Sequence, residues 1–261
     1  MRAPIGHIED TGAPLDGEAR VGPLSVAHLG PIAYRDGLAL QESLVRARAE
    51  GRIGDWLLYP DHPPVLTVGR GGSRESLRAD PETLGRLGVE VFEVARGGDF
   101  TWHGPGQLVG YVICDLATRG RDLHRFLRDI EQGLIEALGQ WGLTGETVPG
   151  RTGVWVSGEK IASIGVAVRR WVSYHGFALN VAPDLTFFDL IHPCGLRGIH
   201  MTSLGARLGG RAPDLARARE VVATRLASRL GHPGVAWETA ESAWRTAAER
   251  GEPVESGPAA R

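Results

Sequence analysis

Lysine is almost missing from this chain of 261 residues. Lysine and arginine together number 29, and Lys160 is the sole lysine among them. Arginine replaces lysine well where only charge or solubility matters. It fails where an amine must give up its proton, because a guanidinium stays charged at any accessible pH. One retained lysine therefore reads either as a functional amine or as the remnant of a strong codon bias. Cysteine is also scarce. With only Cys114 and Cys194 there is no disulfide framework, and a reducing compartment keeps both as thiols. No apolar run approaches the ~20 residues that a membrane helix needs, and the N-terminus lacks an apolar signal core. A cytoplasmic protein is expected. The net charge is only -2, so nothing global argues for nucleic acid or an anionic membrane as partner.

Several site signatures are missing too. There is no Gly-Lys-Ser/Thr ending for a P-loop, no dinucleotide fingerprint, no CxxC or HExxH, and no GxSxG. His103, His175, His192 and His200 could be imagined around Cys194 as a metal site, but their spacings match no zinc signature. The expectation is no metal and no cofactor.

What is present has the makeup of an ordinary globular protein, 42% hydrophobic and 23% charged. Residues 1–20 read as a loose leader. Residues 24–30 read as a strand and Pro31 as the opening of a helix. Two short strands broken by prolines follow over 55–70, then a helix start at Asp80-Pro81-Glu82 and an alternating strand over 89–94. Residues 108–116 read as an apolar strand and 121–142 as a strongly amphipathic helix closed by Gly142. Two or three strands are expected over 152–158 and 160–181. Short helices are expected over 184–191 and 202–208, and a longer one over 213–230. The segment 236–261 reads as a partly ordered tail. The assignment is one α+β domain over 21–235, with no repeat and no linker.

Three stretches carry chemistry. RGGDFTWHGPGQ (96–107) is rich in glycine and proline, so backbone N–H groups there can turn toward a carbonyl or an oxyanion. An ordinary hairpin loop is the plainer reading. HPCGL (192–196) sets Cys194 between turn formers, whereas Cys114 sits in an apolar run and reads as a buried structural residue. A thiol of pKa ~8.5 needs a nearby base or cation to act as a nucleophile at neutral pH. Lys160 opens the third stretch, KIASIGVAV. On residue types alone a Cys-His hydrolase remains open.

Taken in order, DHPPVLTVGR, RGGDFTWHGPGQ, GEKIASIGVAV, HGFALNV and HPCGL resemble the lipoyl(octanoyl) transferases over more than half of the chain. The resemblance implies an α+β fold with a mixed β-sheet flanked by helices, like the biotin and lipoate protein ligases. It implies Cys194 as the residue that carries the acyl group and Lys160 as its proton partner. An acyl pocket is implied at Arg96, Gly97, Gly98, Asp99, Phe100, Thr101, Trp102, His103, Ser163, Ile164, Gly165, Gly176, Phe177 and Ala178. Trp102 stands where many members carry tyrosine, and His192 where an aliphatic residue is usual. The implied donor is octanoyl-acyl carrier protein. The implied acceptors are lysines of lipoyl domains in 2-oxoacid dehydrogenases and of the glycine-cleavage H protein, and the implied state is a monomer. Arg169, Arg170, Arg197 and Arg207 are candidates for a face that docks an acidic carrier. An ATP-dependent lipoate or biotin ligase and a non-catalytic acyl-protein binding module are the competing readings on the same scaffold.

Overall fold

The computed structural model describes residues 21–192 and 199–248. Its frame is a mixed eight-stranded sheet in the order β11-β1-β2-β6-β10-β9-β8-β7. β11 (Val235–Glu238), β1 (Leu24–Pro31) and β2 (Trp56–Asp61) run parallel. β6 (Gln107–Ile113), β10 (Val172–Asn180), β9 (Glu159–Arg169), β8 (Arg151–Val156) and β7 (Glu146–Val148) follow as antiparallel neighbours. β6 and β10 lie mid-sheet and are buried at every position, because helices cover both faces.

α3 (Leu123–Gly139) begins where Asp122 accepts the N–H of Arg125 at 2.9 Å. Its Phe126, Ile130, Leu134 and Leu138 fall at helical spacing and are buried with α5 (Leu215–Arg229) on one face of the sheet. α1 (Tyr34–Ala49) and α6 (Ala240–Ala248) cover the other face through Leu40, Leu44, Ala243 and Ala247. A smaller sheet, β4-β3-β5, stands beside the first, formed from β3 (Val65–Val68), β4 (Glu90–Glu93) and β5 (Phe100–His103). Its apolar side packs on the 3-10 turn Leu185–Leu190. The remaining helices are short: α2 (Pro81–Arg86), capped by Asp80 as expected, and α4 (Leu204–Arg207). No helix among the described residues is long and apolar enough to cross a membrane.

Asp55 ties the sheet to α1 and to the turn after β6. Its carboxylate accepts from Arg48 Nε at 2.7 Å, Arg119 Nη2 at 2.8 Å and the Asp115 N–H at 3.1 Å. Burial raises its pKa, but His232, 3.4 Å away, and the Arg119 and Arg48 guanidiniums outweigh that and hold it well below the usual carboxylate range.

Three sequence expectations change. Pro31 does not open α1. It ends β1 opposite Asp61, and the helix starts at Tyr34. The 96–107 stretch is not loop throughout, since its centre is β5, which pairs with β3 from Phe100 to His103. The segment read as a partly ordered tail from 236 contributes the end of β11 and all of α6, up to Ala248. β11 completes the parallel edge against β1, and the small side chains Ala243 and Ala247 let α6 sit close on α1. A four-residue strand whose partner lies more than 200 positions away leaves no local pattern. The leader 1–20 and residues 249–261 lie outside the described residues.

Candidate active site

The site grows from the register of three mid-sheet strands. In β9 and β10, Ser163 lies opposite Ala178, Ile164 opposite Phe177, and Gly165 opposite Gly176. The two triplets singled out in the sequence are thus cross-strand partners. Phe177 also pairs with Gly110 of β6, and its ring occupies the space that a Cβ at 110 would fill. A Cβ on Gly165 would come within 3.0 Å of Arg96 Cδ and of the Gly97 carbonyl. The 96–98 turn therefore lies flat on β9, fixed by the Gly97 N–H donating to the Val166 carbonyl at 3.0 Å. Gly98 turns there with φ +84°. Arg96 clamps the turn to β3, donating from Nη2 to both the carbonyl and Oγ1 of Thr67 at 2.7 Å.

These elements enclose a cavity of about 340 Å³, a size suited to a small apolar ligand. Arg96, Gly97, Gly98, Asp99, Phe100, Thr101, His103, Ser163, Ile164, Gly165, Gly176, Phe177, Ala178 and Lys160 all line it. Trp102 does not. In β5 it alternates with Thr101 and His103, so its ring turns to the other side, 5.1 Å from Phe187 and 5.7 Å from Phe188 between ring centroids. It is a core residue of the small sheet, and the expectation that it walls the cavity is corrected.

Lys160 is 2% exposed, and its Nζ stands 5.2 Å from the centroid of the Trp155 ring. Cys194 falls within 193–198, outside the described residues. Both flanks of that segment are held at the site. On the N-terminal side, the His192 N–H donates to the Ser76 carbonyl at 2.7 Å, and Ser76 Oγ donates to Asp99 at 2.5 Å. On the C-terminal side, Lys160 donates its N–H to the His200 carbonyl and accepts from the Thr202 N–H, both at 2.9 Å. Asn180 donates to the Thr202 carbonyl and accepts from Gln107, whose Oε1 meets His103 Nδ1 at 2.8 Å. Since the Gln107 amide nitrogen is engaged with Asn180, His103 is the donor in that last bond. Cys114 is fully buried, and burial pushes its thiol pKa up. It stays a neutral, unreactive thiol.

A model of the lipoyl protein ligase A/B catalytic domain matches residues 33–227. An octanoyltransferase of Geobacter metallireducens is 48% identical over 220 residues, covering 84% of this chain and all of the relative. One from Rubrobacter xylanophilus is 49% identical and covers 83% of this chain and 98% of the relative. The chain belongs to the octanoyltransferase family. It is an acyltransferase of the lipoyl(octanoyl) transferase type. Its fold is that of the lipoate protein ligases. A lipoate-protein ligase A bound with ATP superposes with TM-score 0.69 over 86% of this chain and 92% of that one, at 18% identity. A Thermoplasma acidophilum protein with bound lipoic acid gives 0.64 at 17% identity.

Burial drives the pKa of both His103 and His175 down from 6.5 to about 3, with the Arg96 charge acting in the same direction. Both imidazoles are neutral at working pH. Tyr34, pushed up to about 12 by burial, stacks on His103 at 6.4 Å between ring centroids. Tyr111 donates its hydroxyl to His62 Nε2 at 2.5 Å, while His62 Nδ1 donates to the Ile32 carbonyl. His175 is buried with φ +58°, its N–H bound to Gln41 Oε1 at 2.7 Å and its Nε2 without a partner among the described residues. Tyr34, Tyr111, Leu123, Leu127 and Trp155 also line the cavity, and sequence reasoning missed them. They come from α1, β6, α3 and β8, and only the packing of those elements brings them together.

Two of the proposed carrier-docking arginines are engaged within the chain. Arg169 faces Glu42 at 3.4 Å, and Arg207 meets Glu159 at 2.5 Å and the Val156 carbonyl at 3.1 Å. Arg197 lies outside the described residues.

Proposed function

We propose that the enzyme takes an octanoyl group from octanoyl-acyl carrier protein, holds it as a thioester on Cys194, and passes it to a lysine of a lipoyl domain. This would be the first step of endogenous protein lipoylation. One observation carries the proposal. Lys160 sits buried in the wall of an acyl-sized cavity, and the chain emerging from the Cys194 segment is hydrogen-bonded to both its N–H and its carbonyl.

In this reading the Lys160 amine takes the thiol proton of Cys194. The thiolate attacks the octanoyl carbonyl, the bond from carbonyl carbon to the carrier's sulfur breaks, and the Lys160 ammonium protonates the departing thiolate. The now neutral amine removes a proton from the acceptor lysine as that nitrogen attacks the Cys194 thioester. Cys194 leaves as thiolate and takes that proton back from the Lys160 ammonium, which restores the starting thiol and amine. One amine serves as acid and then as base, which arginine cannot do. Thioester exchange is near neutral in energy and amide formation is downhill, so no nucleotide is consumed. Ile164 and Phe177 act as walls for the acyl tail, and the neutral imidazoles of His103 and His175 add no charge to that lining.

The test is an intact-mass measurement on the protein mixed with octanoyl-acyl carrier protein in the absence of ATP. Wild type should gain one hydroxylamine-labile octanoyl group and lose it to an added lipoyl domain. Cys194→Ala should gain none, and Lys160→Arg should fold but lose nearly all turnover. If the lipoyl domain is modified only when ATP and free octanoate are supplied, the thioester route is wrong.

A further inference from the structure

α3 carries a carboxylate where an amphipathic helix should have none. Glu131 is completely buried. Burial pushes its pKa up, while a hydrogen bond from the Gly153 N–H and the charges of Arg128 and Lys160 oppose that. One carboxylate oxygen accepts from Gly153 at 2.9 Å, and the other faces Arg128 at 2.5 Å.

Gly153 lies in β8 between Glu131 and Lys160, with φ +138°, a conformation that side-chain-bearing residues rarely adopt. A Cβ there would stand 2.7 Å from Lys160 Cε and 2.6 Å from the Ala162 carbonyl oxygen. The stem of Lys160 therefore lies directly on the bare Cα of Gly153, and the Trp155 ring bounds the amine. The β8–β9 register slips between Val154 and Trp155, immediately after this contact. A buried carboxylate is costly, and this one, held by the Arg128 ion pair and the Gly153 N–H, ties α3 to β8 at the residue on which the Lys160 stem rests.

We propose that Glu131 and Gly153 are positioning residues for Lys160. Glu131 fixes β8 through the Gly153 N–H, and the missing Cβ of Gly153 forms the slot that holds the Lys160 stem against Trp155. The functional consequence rests on the proton-transfer role given to Lys160 above, whereas the slot itself can be read without it.

The single lysine makes the test direct. Lysine labelled with ¹³C at Cε gives one Cε–Hε resonance from this chain. In wild type that resonance should lie upfield of free lysine, because the Trp155 ring shields it. Glu131→Met keeps the side-chain volume but removes the acceptor, and Glu131→Gln keeps an acceptor for the Gly153 N–H. Glu131→Met and Gly153→Ala should move the resonance toward the free-lysine position and lower kcat about 100-fold, the scale of an ångström-sized misplacement. KM for the octanoyl donor should change little. Glu131→Gln should retain the shielded resonance and most of the turnover, which rescue of a merely structural carboxylate would not tie to the lysine signal. The proposal is overturned if folded Glu131→Met shows the wild-type resonance and kcat. It is equally overturned if Gly153→Ala leaves the resonance in place. Full activity in Lys160→Arg would instead refute the proton-transfer role and leave the slot standing.

Discussion

Lowering the pH from 7 to 5 should remove about 4 kcal/mol of folding stability through two residues, His103 and His175. Both have a folded pKa of about 3 against an ordinary 6.5. A depressed folded pKa means that the unfolded chain takes up the proton first. The stabilisation is therefore complete above pH 6.5 and is lost as the pH falls from there toward 3. At pH 5 an unfolded imidazole is almost fully protonated while the buried one is still neutral, and linkage gives about 2 kcal/mol for each residue between pH 7 and 5. For a chain of this size that corresponds to a fall in Tm of roughly 8–16 °C. Asp55 adds nothing in this window, because its stabilisation is lost only as the pH falls below its ordinary value of 3.8. The assay is thermal or urea unfolding at pH 7, 6 and 5 for wild type and His175→Gln, which offers a neutral polar side chain at every pH. The variant should lose about 2 kcal/mol less than wild type over that range. Parallel pH curves for the two proteins would show that His175 is not buried as a neutral group, and the account of a neutral imidazole in the cavity lining would fail.

The acyl tail should be read methylene by methylene. At ~0.8 kcal/mol for each buried CH₂, kcat/KM should fall about 4-fold per carbon from octanoyl to butyryl, and a flat response would refute a dedicated acyl cavity. Trp102→Phe should leave that chain-length profile unchanged, because the ring faces Phe187 and Phe188 and its Nε1 has no hydrogen-bond partner among the described residues. A shifted profile in this variant would return Trp102 to the cavity wall.

The family and the type of chemistry were legible in the chain because they rest on residue types at short range. A lone Lys160, a cysteine between turn formers, and glycine-rich stretches each state a chemical capability that does not depend on what they touch. Most helices and strands were equally legible, since amphipathic spacing and capping residues act locally. Position within the fold was not. Ser163–Gly165 and Gly176–Ala178 could be read as two motifs, but not as facing partners, because register belongs to a pair of strands. Trp102 looked like an aromatic wall until β5 formed and strand alternation turned it away from its neighbours. Glu131 looked like one more charge on an amphipathic helix until packing brought Gly153 and Lys160 to it. The short strand β11 became visible only once β1 was there to pair with it. The amino acids set what each group can do, and the tertiary structure decided which groups meet, because contacts between distant segments depend on register, face and burial, which no local stretch of sequence contains.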